Sequence, residues 1–164
     1  MVHRRNARGI GRGARGLAVG LVAAAAVGAV AGCVQPVGPA RTAEDYELKA
    51  ADTAETVVSA VRTAEIGADV AHRDRAFPPY VAVVLGEAES DAAAALDTFE
   101  SVQPPGPSSD HLRAELADLV DPAVDALADL RIAARRSDGD ALAAAARGLE
   151  DLARPLEAFA EEHG

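Results

Sequence analysis

Three histidines lie in the acidic two-thirds of this chain, His72, His111 and His163. Imidazole and carboxylate together are donors for zinc or for iron held between helices. Asp69 and His72 stand three residues apart, and Glu65 lies four before Asp69, so a helix would place all three on one face. A di-iron bundle needs two such Asp/Glu-x-x-His elements plus two further carboxylates, and the chain supplies one. His111 adjoins Asp110, and His163 follows Glu161 and Glu162 next to the end of the chain. Surface and helix-capping roles account for these residues better than metal ligation, so no metal or other cofactor is expected; a metal- or cation-binding four-helix bundle is the alternative. The serines at 59, 90, 101, 108, 109 and 137 include no G-x-S-x-G elbow, and none adjoins a histidine. A nucleophile, base and orienting group are therefore not assembled by any motif, and the chain is expected not to be an enzyme.

Amphipathic helices must carry these residues. Ala50, Ala54, Val57, Val61, Ala64 and Ala68 recur at helical spacing, as do Val81, Leu85, Ala88, Ala92, Leu96 and Phe99. Leu112, Leu116, Leu119, Ala123, Leu127 and Leu130 form a third stripe, with Asp118, Asp121, Asp125 and Asp129 nearly opposite. Leu142, Ala145, Leu149, Leu152, Leu156 and Phe159 form a fourth. A period near 3.6 predicts helices over about 42–75, 79–102, 109–136 and 140–162. Thr42 and Ser108 or Ser109 can cap, Phe77-Pro78-Pro79 and Pro104-Pro105-Gly106-Pro107 separate helices, and Ser137 to Asp140 form a turn with an N-cap. Short joints between amphipathic helices predict an all-α fold, an antiparallel up-down-up-down four-helix bundle over residues 42–164.

Two features of that bundle bear on binding. Pro122 and Pro155 lie at similar distances from the turn near Asp138. They are expected at one height, either bending the last two helices together to open a groove or following the curvature of the core. The topology also gathers Arg73, Asp74, Arg75, Phe77 and Tyr80, with Arg135 and Arg136, at the end away from Thr42. That tip could dock an envelope protein partner. Alternatively, its arginines serve helix C-termini and Phe77 plugs the bundle end.

Charge narrows the partners. All 26 acidic residues follow Cys33, against eleven of the 16 lysines and arginines, leaving −15 beyond the leader. Such a surface repels nucleic acid and anionic headgroups alike.

The leader has its own chemistry. Arg4, Arg5, Arg8, Arg12 and Arg15 precede an uncharged stretch from Gly16 to Gly32, and Val30-Ala31-Gly32-Cys33 closes it with the chain's one cysteine. A basic segment, an apolar segment and small residues are the parts of a secretory signal. The arrangement resembles that of bacterial lipoprotein precursors. The resemblance covers residues 1 to about 35 and implies lipidation of Cys33 and removal of residues 1–32. Cys33 to Arg41, with two prolines and a glycine, would then be a tether of up to roughly 25 Å. The expected location is the outer face of the bacterial cytoplasmic membrane, with the lipid on Cys33 as the membrane contact. Ala29-Val30-Ala31 also fits ordinary signal cleavage, which would release a secreted protein beginning at Gly32. Arg4-Arg5 lacks the apolar pair of a twin-arginine signal.

Mass spectrometry of the mature protein separates the two cuts. A lipid-modified Cys33 at the N-terminus, with membrane association abolished by Cys33→Ser, is the expected outcome; an N-terminus at Gly32 with a free thiol contradicts it.

Overall fold

The computed structural model describes residues 40–73 and 75–164. The leader, the Val30–Cys33 motif and nearly all of the tether lie outside the described residues, as does Asp74. Among the described residues there are five helices and no strand: α1 Ala43–His72, α2 Pro78–Glu100, α3 Pro107–Arg135, α4 Gly139–Ala146 and α5 Leu149–His163. The fold is an all-α four-helix bundle whose fourth member is broken in two. None of these helices is long and apolar enough to cross a membrane.

Each helix begins where local chemistry allows. Thr42 is extended and its hydroxyl accepts the N–H of Asp45 at 3.0 Å, with Glu44 and Asp45 suiting the positive end of the helix. Phe77 is extended because the following proline disfavours helical backbone there, and Pro78 opens α2. The expected start of α3 at 109, with a serine cap, is corrected. Pro107 is the first helical residue and Gly106 the N-cap, while Ser109 lies buried inside the first turn. Proline's fixed φ and missing N–H suit that first position better than a serine cap suits the third. α1 ends at His72 rather than 75, closed by Arg73 N–H to Asp69 O at 3.2 Å and Arg75 N–H to Val70 O at 3.0 Å. α3 ends with Ser137 in the left-handed region at φ 53. The Ser137 and Asp138 N–H groups there donate to Ala134 O and Ala133 O, each at 3.0 Å, the paired closure usually built on glycine.

The expected single helix over 140–162 divides at Arg147 and Gly148. Glycine gains little from helical backbone and costs about 1 kcal/mol relative to alanine. The Gly148 N–H reaches Ala145 O only at 3.4 Å. Pro155 does not break its helix, nor does Pro122. Both rings are exposed, as are Asp118 and Asp151 four residues earlier, so the carbonyls deprived of a donor face water. Neither proline lines the two recesses described below.

The core is a set of stripes with small corrections of phase. Val120 is buried in place of Leu119, and Ala153 in place of Leu152. Ala145 is only half-buried, whereas Leu142, Leu149 and Leu156, on both sides of the break, are buried as their spacing predicts. α1 and α3 form the central pair: each packs against all the other helices, with α2 on one flank and α4 and α5 on the other. Alanine makes this possible. Ala50, Ala54 and Ala64 on α1 and Ala123 on α3 are fully buried, and small side chains let helix axes approach closely. At one end Tyr46 stacks on Phe99 with ring centroids 4.8 Å apart. At the other, residues from the end of α1, the start of α2, the end of α3 and the start of α4 line one recess.

Close approach makes added volume costly. Ala64→Leu is expected to destabilise the fold by about 1–3 kcal/mol, measured by urea unfolding, whereas Ala94→Leu on the exposed face of α2 should leave the midpoint nearly unchanged. Equal effects would contradict the packing described.

Candidate functional site

The chain's few cations act first as stitches between helices, and that determines which remain for binding. Arg62 on α1 donates to Glu157 through Nε at 3.3 Å and Nη2 at 2.8 Å, and to Glu65 through Nη1 at 3.0 Å. Its Nη1 also pairs with Glu150, so one guanidinium fastens α5 to α1. Arg131 on α3 holds Glu89 on α2. Arg113 on α3 donates to the buried Tyr46 hydroxyl at 3.1 Å and to the Val102 carbonyl, joining three helices at the end opposite the tip. Hydrogen bonds to Glu150, then Glu157 and Glu65, raise the Arg62 pKa, and the bond to Glu89 raises that of Arg131. The Arg62 hydrogen bond holds the Glu150 carboxyl below the usual glutamate range. Partners 88 and 95 residues away leave no local signal, so these stitches are not legible in the sequence.

Two of the candidate metal donors are held by arginines. Glu65 faces Arg62, Asp69 pairs with Arg73 at 2.8 Å, and His72 stands exposed at the helix end. His111 is exposed, and His163 lies against Phe159 with ring centroids 4.5 Å apart. Among the described residues no three His, Cys, Asp or Glu side chains converge as a metal site.

The tip is where unused surface collects. Six large apolar side chains are exposed among the described residues, and five of them, Ile66, Phe77, Tyr80, Val83 and Ile132, lie within about two helical turns of the same bundle end. Phe77 is 73% exposed and Tyr80 64%, so Phe77 does not plug the bundle. Its chain neighbours Ala76 and Pro78 line a recess of about 150 Å³ together with Val81, Ala134 and Leu142. An open groove of about 630 Å³ runs between α2 and α3. Ala82, Gly86 and Ala93 leave it room, Val83 and Arg135 line it, and the Glu89–Arg131 pair crosses it. Arg73 and Arg136 are C-caps and Arg135 ends α3, positions that suit the helix dipole. The tip is less basic than the arginine positions alone imply: Asp69 neutralises Arg73, and Asp138 and Asp140 lie close to Arg135 and Arg136 in the chain. Its distinguishing property is exposed apolar area, to which Tyr80 contributes as expected and Val83 outside the set of residues expected.

The Glu150 contribution has a defined sign. Its folded pKa is depressed, so the stability it adds is present above the ordinary glutamate range, near about 4.3, and is lost as pH falls through the depressed value. Glu150→Gln should lower the urea midpoint at pH 7, and the gap to the unsubstituted protein should narrow as pH falls below the ordinary glutamate range; a gap that stays constant would contradict the Arg62 assignment. Compared with known proteins, the chain matches no family model, no curated protein and no solved structure.

Proposed function

We propose that this protein is a non-catalytic, lipid-anchored bundle of the bacterial envelope that docks a protein partner at the end formed by the α1–α2 and α3–α4 connections. The observation that carries this reading is the concentration of exposed large apolar side chains at that end. Phe77 and Tyr80 offer aromatic surface of the kind that dominates interface energetics. Monomeric proteins rarely leave such side chains grouped in water without a binding role. The lipobox resemblance at Cys33 supports attachment, and the net charge of −15 beyond the leader favours a domain that stands off anionic lipid.

Crosslinking in intact cells, followed by recovery of the anchored protein from membranes, tests the docking end. A specific envelope protein should be recovered with the unsubstituted chain and be lost with Phe77→Ala/Tyr80→Ala. Both side chains are exposed, so the double substitution should keep stability within about 0.5 kcal/mol per site. Recovery unaffected by the substitutions, or absent with both proteins, would refute the reading.

A further inference from the structure

We propose that α4 is a lid: it opens about Arg147-Gly148 while the other four helices stay folded, uncovering the apolar recess at the tip. Three independent features converge on this short helix. The first is its weak hold on the core. α4 has eight residues and Leu142 is its one buried side chain, and a helix this short has little stability of its own. The second is an irregular joint on each side. At its start Ser137 occupies the left-handed region, where a non-glycine residue is disfavoured. At its end Gly148 N–H to Ala145 O and Leu152 N–H to Gly148 O are long bonds of 3.4 and 3.3 Å. α5, by contrast, is fastened to α1 by Arg62 through Glu150 and Glu157, so the anchored segment begins within two residues of the joint. The third feature is what lies under the lid. Asp138, Gly139 and Leu142 form one wall of the recess of about 150 Å³, and residues from the α1–α2 turn, the start of α2 and the end of α3, among them Ala76, Pro78, Val81 and Ala134, form the rest. Displacing α4 removes that wall and leaves an apolar pocket next to Phe77. The inference does not depend on the docking reading, since it concerns the order in which parts of the free protein open.

Native-state hydrogen exchange of the full chain tests it, because a local opening and global unfolding respond differently to perturbation. The amides of Leu142 to Ala146 should exchange at least tenfold faster than core amides of α1 and α3. Leu116→Ala, a substitution in a part that stays folded when the lid opens, should accelerate the α1 and α3 amides and leave the α4 rates unchanged. If that variant does not fold, low urea replaces it: exchange in α3 should rise steeply with urea and exchange in α4 only slightly, because the slope follows the surface exposed. Gly148→Ala, at a position with no neighbour within 4 Å of an added Cβ, should slow α4 exchange roughly fivefold. The proposal is overturned if α4 amides follow the α3 amides under Leu116→Ala or urea, or if Gly148→Ala leaves α4 exchange unchanged.

Discussion

The close approach of α1 and α3 is the constraint on which the rest of the structure depends. In an open square of four helices, diagonal partners need not touch; here both central helices contact every other element. Alanine at the buried positions of α1 permits it, and the cost is a thin core with little apolar area per residue. Large side chains are correspondingly confined. Tyr46, Leu85, Leu116, Leu127, Leu130, Leu149 and Leu156 are fully buried, and most come from the helices that surround α1.

A thin core in a strongly acidic chain raises the importance of polar joints. The cations that remain beyond the leader are few, and three of the arginines, 62, 113 and 131, each bridge separate helices. Exposed ion pairs individually add little. Arg113 differs, because its partners include the hydroxyl of a buried tyrosine and a chain carbonyl at the end of α2. These bonds supply direction as well as attraction, fixing which faces of the alanine-rich helices meet. The acidic ridge Asp118, Asp121, Asp125 and Asp129 stays in water, as its position opposite the leucine stripe predicts.

Periodicity made the helices legible almost residue by residue on their inner faces. Proline and glycine marked the joints at 77–79 and 104–107. Choices between adjacent residues of one type were not legible: Leu119 and Val120 are both apolar, and only the packed geometry selects Val120. The break at Gly148 was hidden because a lone glycine inside an apolar repeat is tolerated in many helices. Phe77 was legible as a tip residue but not as an exposed one. The chain direction before Pro78-Pro79 decides where its ring goes, and spacing carries no record of that. Val83 was missed for a related reason: it falls close to a stripe residue, and only its height on α2 brings it to the open end.

The composition of α1 also bears on how the chain survives its own synthesis. α1 is made before all four of its partners, and its last partner, α5, carries the Arg62 contact Glu157 some 95 residues later. Until then its inner face has nothing to cover it. A leucine stripe of 30 residues left waiting would invite association with other unfinished chains. The alanine stripe offers far less apolar surface for such contacts, while the leucine-rich faces of α3 and α5 emerge when partners already exist. The residue choice that brings the finished helices close together therefore also keeps the first of them unreactive while it waits.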